Sequence, residues 1–478
     1  MLREPRPHQH RLEMVTLEEL VPKDHLLRKI DRYIDFSFIH DEVRHLYCED
    51  NGRPAVDPVQ LFKMLFIGYL FGIRSERQLV REIQVNVAYR WFLELGLTDK
   101  VIDASTFSQN RRRRFEGSGI EQRIFDRIVE QAIDQGLIRG EALFTDSTHL
   151  KANANKRRHT VHEVAISPVD YLSELEAAVA EDRQQQGKPP LKPRPETTKT
   201  KPTKVSDTDS DAGYMVRDQK PEGFFYLDHR TVDGRHGLIT DTYVTPGNIH
   251  DARPYLGRLD RQCERFKLKP LMVGLDAGYN TAAICHGLVE RGIAGVVGYK
   301  RPHSPKGRLK RRDFHYDAGR DAYQCPQGQW LNYATTNRTG YREYKSQPSI
   351  CQSCPLRDQC TQSKNQQKVM IRHVWEAERE QINQNRLSNW GKRVYERRRE
   401  TVERSFADAK QLHGHRYARF RGLSRVQAQC LLAAACQNMK KIALLLARLF
   451  AANSGQWRRI RINGCLVWPD WALRARFA

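Results

Sequence analysis

The sequence predicts an α+β multidomain chain: an N-terminal helical domain, a mixed α/β core interrupted by an insertion, and C-terminal helices that complete the core. Three observations predict it. At 478 residues the chain exceeds what one hydrophobic interior fills, so several domains are expected. Up to Arg114 the apolar residues recur at three- and four-residue steps, as in Leu26, Ile30, Tyr33 and Ile34. Beyond residue 138, short apolar runs bounded by turn residues alternate with helical patterns, as in a sheet with helices packed on it.

The helical domain is expected over residues 1–120. Its most apolar stretch, Val56 to Ile73, carries Asp57, Lys63 and two glycines, and so reads as a buried helix and not as a membrane span. Ser75 with Gln78 resembles a capping box opening a helix over Glu76 to Val87. Ser105 is placed to cap a further helix carrying Arg111, Arg112, Arg113 and Arg114. Four successive arginines spread around a helix, so at least two face outward; contact with DNA phosphates and a solvated charged face are the two readings.

The first part of the core is expected over 138–300. Strand-like runs occupy Ala142 to Thr145, Phe224 to Val232, Leu238 to Val244, Leu271 to Leu275 and Ile293 to Tyr299. The second and third flank the turn Asp233-Gly234-Arg235-His236-Gly237 as a hairpin. Helical patterns fill Asp251 to Lys267 and Thr281 to Arg291. Residues 182–211, rich in Gln, Lys, Pro, Thr and Ser, read as a flexible insertion because they offer little apolar surface to offset ordering entropy. A cysteine-bearing insertion follows over 301–375. Next come C-terminal helices over 376–450, Glu376 to Arg421 basic and Leu423 to Phe450 rich in Ala and Leu, and a basic tail over 451–478.

Lys plus Arg number 80 against 57 Asp plus Glu, a net charge of +23 that draws the chain to polyanions. Nucleic acid is the first candidate and an anionic membrane surface the competitor. The opening Met-Leu-Arg-Glu-Pro-Arg-Pro-His lacks the apolar core of a signal peptide, so an intracellular, soluble protein is expected. Ten cysteines are too sparse for a disulfide scaffold. Four of them, Cys325, Cys351, Cys354 and Cys360, have the spacing C-x25-C-x2-C-x5-C. Four thiolates suit a closed tetrahedral Zn²⁺ that folds a module with little core of its own; an iron–sulfur cluster and unliganded thiols are the alternatives. Basic residues with interleaved tyrosines, at Lys306 to Arg312 and Arg338 to Lys345, point to a DNA-gripping role for this insertion.

Three acids stand out. Asp146 and Asp276 each end a strand-like run, in Leu-Phe-Thr-Asp and Val-Gly-Leu-Asp, and Glu403 lies on a basic helix with Arg399 four residues before it and Lys410 seven after. A strand-end Asp is commonly a cap or turn residue, and Arg399–Glu403 is equally read as a surface ion pair. Grouped, however, three carboxylates supply the hard oxygen ligands that a pair of Mg²⁺ ions needs for phosphodiester chemistry. Asp251, in Gly-Asn-Ile-His-Asp, reads as the cap of the following helix.

The order of these segments resembles a family. Thr145-Asp146-Ser147-Thr148, then Thr245-Pro-Gly-Asn-Ile-His-Asp251, then Leu275-Asp276-Ala-Gly-Tyr279, then Arg399-x3-Glu403-x6-Lys410 is similar to the DDE transposases of bacterial insertion sequences, in particular the eleven-eighty-two group, with an InsH-like N-terminal region. The resemblance runs from about Leu17 to Leu446. It implies a ribonuclease-H-like core in which Asp146, Asp276 and Glu403 bind Mg²⁺ or Mn²⁺, with the signature's basic positions at Arg399 and Lys410; the reading of the residues themselves makes these two, Lys151 and Arg111 to Arg114 the candidate DNA contacts. The signature Tyr-x2-Arg-x3-Glu-x6-Lys is met except at its tyrosine, where residue 396 is Glu and Tyr395 stands one place away. Implied with it are double-stranded DNA of transposon ends and target as partner, self-association as a dimer or larger, and a cytoplasmic, nucleoid-associated location. A non-catalytic DNA-binding descendant and a nuclease on the same fold are the competing readings.

Overall fold

The computed structural model describes residues 14–48, 55–165, 171–193, 200–216, 222–300 and 306–460, with backbone alone after 451. The basic tail beyond 460 lies outside the described residues. The chain forms two compact units, one of residues 1–138, 408–419 and 424–478, the other of 139–407 and 420–423.

The first unit is helical. Asp57 accepts from the Val59 N–H at 3.0 Å with Pro58 at the first helical position, which starts the helix Pro58–Leu70. Ser75 caps Glu76–Val85 as the sequence predicts. That helix stops two residues short of Val87 because Asn86 caps the next one through the Ala88 and Tyr89 N–H groups. Phe62, Phe66, Phe92, Phe115 and Phe125 are fully buried. Lys63 is buried beside them, 3.1 Å from Asp31 and 3.2 Å from Glu94. The sequence assigns the Ala/Leu-rich helix, Leu423–Ile460, to completing the α/β core. Instead it packs from Ser424 onward in the helical unit, burying Cys430 to Cys436 and setting the Cys436 thiol 3.7 Å from the Phe66 carbonyl. It is long and apolar enough to cross a membrane by length and composition, but 72% of its apolar window is buried inside the protein, as in a core helix.

The second unit is built on a mixed sheet of β1 (Ala142–Lys151), β2 (Gly223–Asp233), β3 (Ile239–Pro246), β4 (Met272–Leu275) and β5 (Ala294–Val297), in the order β3-β2-β1-β4-β5. β1 to β3 form an antiparallel meander, whereas β4 pairs parallel with β1 and β5 parallel with β4. A short strand, Gly213–Met215, also pairs with β2. Helices Tyr255–Phe266, Ala282–Glu290 and Glu376–Leu387 cover the parallel half; Leu143, Val273, Leu275, Leu259, Ile284, Leu288 and Ile382 make its core. β1 is longer than the sequence suggests. Its pairing with β2 continues from Leu143 to Lys151, so Asp146 lies within a strand and not at its end.

Two further departures concern the insertions. Residues 182–211 are not structureless: the helix Leu172–Gln185 reaches into them, and Thr200–Ser206 pairs antiparallel with His159–Ala165 as a two-stranded ribbon. Residues 194–199 lie outside the description. The helix is anchored largely by buried polar groups. Asp182 binds Arg342 and Thr336, and Arg183 donates to the Thr336 carbonyl at 2.7 Å and the Thr335 hydroxyl at 2.9 Å. Those partners belong to the cysteine-bearing insertion, a five-stranded antiparallel sheet of His315–Asp317, Ala322–Gln324, Trp330–Thr336, Tyr341–Lys345 and Val369–His373. It also has a core of its own: Phe314, Tyr323, Leu331, Tyr344 and Met370.

Gly274 in β4 has a packing reason. A Cβ there would lie 2.6 Å from Phe144 Cδ1 on β1 and 3.6 Å from Arg398 Cγ. Gly274→Ala is therefore expected to cost about 1–3 kcal/mol through overpacking, read as a lower urea midpoint; an unchanged midpoint would show that the contact relaxes freely.

Candidate active site

Strand register sets two carboxylates side by side. Thr145 on β1 pairs with Leu275 on β4, and the next residue on each strand is Asp146 and Asp276. Parallel neighbours lie about 4.8 Å apart, so these two acids are held near each other by backbone alone. β4 ends there, and Asp276 caps the single turn Ala277–Tyr279, accepting from the Ala277 N–H at 2.6 Å. The helix Ala282–Glu290 has its own cap in Thr281, which leaves the other Asp276 oxygen free of that role. Asp146 accepts from the Ser147 N–H at 2.8 Å.

The third acid arrives on a helix. Asn389–Arg398 packs against β4 and β5 and runs into a π-helical turn, Arg399–Glu403, which lies against β1 and β2. In a π turn the residue one turn back is i−5, not i−4. Arg398, and not Arg399, therefore shares the face of Glu403. Arg398 is only 4% exposed and reaches all three acids: Asp146 Oδ2 at 2.8 Å, Asp276 Oδ1 at 3.8 Å and Glu403 Oε1 at 3.9 Å. Arg399 is exposed, a correction to the α-helical spacing argument. The same turn explains the displaced tyrosine. Tyr395-x2-Arg398 keeps the tyrosine–arginine spacing, and the extra residue is taken up between Arg398 and Glu403. Arg398 lies 5.3 Å over the Tyr395 ring and donates to its hydroxyl at 3.4 Å. Gly298, just after β5, admits that hydroxyl: a Cβ there would stand 2.8 Å from Tyr395 Oη and 2.7 Å from the Ala277 nitrogen. Thr401 donates to the Arg397 carbonyl at 2.7 Å inside the turn.

A fourth carboxylate belongs to this group. Asp251 does not cap the following helix, which begins at Tyr255 with Pro254 in the cap position. Its Oδ1 is buried with no hydrogen-bond partner among the described residues. Burial raises the Asp146 carboxyl to about 6; Arg398 and the Ser147 N–H oppose the rise, and the charges of Asp276 and Asp251 add to it. The side chains of Asp276 and Glu403 are 51% and 48% exposed, so their oxygens remain accessible. Three carboxylates around one guanidinium, with the orphaned oxygen of Asp251 close enough to act on Asp146, form an all-oxygen donor set of the kind that suits Mg²⁺ or Mn²⁺.

The other sequence-derived residues are dispersed. Lys151 is exposed at the far end of β1. Lys410 is half-buried and falls in the helical unit, although its helix, Arg404–Leu412, begins in the other. Arg111 to Phe115 also form a π turn. Arg111 is tied to Glu76 at 3.0 Å and Arg114 covers the Tyr47 ring at 4.4 Å, whereas Arg112 and Arg113 are exposed. Cys325 and Cys360 pack at the edge of the five-stranded sheet's core. Cys325 sits in a tight turn in which the Gly328 N–H donates to its carbonyl at 2.8 Å, Cys351 lies in the short helix Pro348–Gln352, and Cys354 stands just beyond its end. Burial raises the Cys360 thiol, Lys368 opposes this, and the other three cysteines add to the rise.

Residues 15–113 match a family described as Transposase domain (DUF772), and residues 324–443 match one described as Transposase DDE domain. Together they support a DDE-type transposase. Glu403, Arg398 and the four cysteines fall inside the second match; Asp146 and Asp276 lie outside both. A comparison with curated proteins finds no match. Similar solved structures include the piggyBac transposase synaptic complex with hairpin DNA, at 10% identity and TM-score 0.30 over 95% of this chain and 82% of that one. Another is the Mos1 mariner paired end complex with Mn, at 14% identity and TM-score 0.16 over 60% of this chain and 69% of that one.

Because the Asp146 pKa is raised above its unfolded value, its contribution to stability is full below about pH 4 and is lost as pH rises through about 6. In chelator, the melting temperature of the wild-type chain is expected to fall between pH 5 and 7.5, and Asp146→Asn to remove much of that fall. Equal slopes for the two proteins would show that Asp146 titrates as an ordinary surface acid.

Proposed function

We propose that this chain is a transposase of the eleven-eighty-two type that binds the terminal inverted repeats of an insertion sequence and carries out metal-dependent strand cleavage and strand transfer. The observation that carries the reading is the convergence of Asp146, Asp276 and Glu403, from three distant stretches, on the buried Arg398. Strand order β3-β2-β1-β4-β5, with β2 antiparallel to β1, supports a ribonuclease-H-like core. Mg²⁺ ions bound there would supply an activated water or 3′-hydroxyl and stabilise the leaving oxygen of an in-line displacement. Asp146 and Asp276 would hold the metals from the sheet and Glu403 from the helix, and Asp251 would offer its orphaned oxygen. Arg398 offsets the charge of the three acids from within the protein. Lys151, Arg112 and Arg113 are exposed cations suited to the DNA backbone, and Lys410 extends the basic helix. Two ends must be processed together, so a dimer or larger synaptic assembly is part of the proposal, acting on DNA in the bacterial cytoplasm.

In the cysteine module, four thiols, one in a tight turn, would supply the ligands of a tetrahedral Zn²⁺ that holds the loops between its strands. Purified chain is expected to carry one equivalent of zinc, and Cys354→Ser to lose it with a drop in melting temperature. Iron in its place would convert the site to an iron–sulfur cluster, and metal-free protein would sink the metal reading altogether.

The catalytic reading is tested with end-containing DNA and Mg²⁺. Asp276→Ala and Glu403→Gln are expected to lower cleavage by about a hundredfold or more, the scale of losing one preorganised electrostatic group, while DNA binding persists. Arg398→Gln is expected to impair cleavage far more than Arg399→Gln. Intact cleavage by Asp276→Ala rejects the triad. Cleavage without joining by the wild-type chain favours a nuclease, and binding without cleavage a non-catalytic descendant.

A further inference from the structure

The ribbon His159–Ala165 with Thr200–Ser206 leaves the sheet directly after β1, the strand that carries Asp146. An isolated two-stranded ribbon is marginal in water unless something covers a face. Here neither face is covered: Val161 is 62% and Val164 42% exposed, and they point to opposite sides by strand alternation. Across the ribbon, Val161 pairs with Lys204 and Val164 with Lys201, so each face presents an apolar group beside an ammonium. Lys204 also leans over the Tyr214 ring at 4.3 Å, at the ribbon's root. The approach to the ribbon adds Lys151, Lys156, Arg157 and Arg158, all exposed, and Glu163 is the ribbon's own acid.

We infer that this ribbon is a DNA-reading arm that enters the major groove of the element's end next to the cleavage site; the inference rests on the transposase reading above. Seven residues per strand give a length of about 20 Å, and a two-stranded ribbon fits the major groove, which is about 12 Å wide. Lysine ammonium groups answer phosphates and guanine edges, and the valines suit thymine methyls. The charge disfavours a basic protein face as the occupant. Pro202 removes an N–H from one strand, which disfavours edge pairing with a second copy. From Asp146 to Lys151 the strand advances about 17 Å, and the ribbon begins at His159, eight residues further on.

The test uses the full chain carrying Lys201→Gln with Lys204→Gln, both exposed positions, and Lys269→Gln as control at the opposite end of β4 from Asp276. Circular dichroism verifies folding, and fluorescence anisotropy reads binding of end DNA across a salt series. The double variant is expected to bind about tenfold or more weakly at low salt, with a salt slope smaller by about 2, while the control stays at wild-type affinity. Wild-type affinity and slope in the double variant would overturn the inference, as would a loss of self-association with DNA affinity unchanged. If the wild-type chain itself binds no end DNA, the transposase reading fails first and this inference with it.

Discussion

Like charges brought together in a partly buried site repel, and the second unit is organised around the cation that answers this. Arg398 is nearly sealed from solvent and touches three carboxylates that no stretch of local sequence would have assembled. A guanidinium is the side chain suited to this place, since it stays charged and offers several donors in a plane. Removing it would leave buried negative charge uncompensated, a worse state than never having assembled the acids. The surrounding structure can be read as what holds that guanidinium in place. β1 and β4 are in parallel register so that Asp146 and Asp276 are neighbours, Gly274 leaves room for Phe144 and the arginine's stem, and Gly298 leaves room for Tyr395 beneath it. The buried pair Arg230–Asp228, with Arg230 also donating to Ser405 at 3.2 Å and lying over Phe406, fixes the start of the next helix to β2.

The π turn makes this possible with one residue. An α-helical Arg399–Glu403 spacing would have put an exposed arginine beside the acid and left Arg398 on another face. Widening the turn brings the buried arginine round to the carboxylate and keeps Tyr395 in step with it. Such turns cost helix hydrogen bonding and are found mostly where a side chain must be re-aimed. Here Thr401 returns one of those bonds through its hydroxyl.

Much of this was legible in the sequence, and the failures share a cause. The strands of the core, the hairpin and the cap at Ser75 follow from local pattern, and the three acids that the sequence groups are ones the fold sets around Arg398. What local pattern did not carry was anything decided by a distant partner. β1 outruns its apolar segment because β2 pairs with it, although its later residues alternate poorly. Residues 182–185, the end of the helix Leu172–Gln185, looked unable to order themselves because Asp182 and Arg183 are charged residues satisfied by Thr336 and Arg342 far along the chain. Asp251 looked like a cap because a helix follows it; only the fold shows its oxygen without a partner. The Ala/Leu-rich helix announced burial, but nothing in its composition said in which unit.

The two insertions in the core are coupled by the same polar contacts. One interrupts the chain between β1 and β2, the other between β5 and the helices that bring Arg398 and Glu403, yet Asp182, Arg183, Thr336 and Arg342 join them through buried hydrogen bonds and ion pairs. Leu175 and Val179 add apolar packing against Trp375, at the point where the second insertion rejoins the core. Buried polar contacts of this kind are satisfied in one arrangement and costly in others, so they fix orientation more sharply than apolar burial does. The cysteine module is thereby joined to the helix that lies between the ribbon's two strands. The elements that flank the carboxylates on either side are thus positioned together, without any change to the sheet register on which the carboxylates depend.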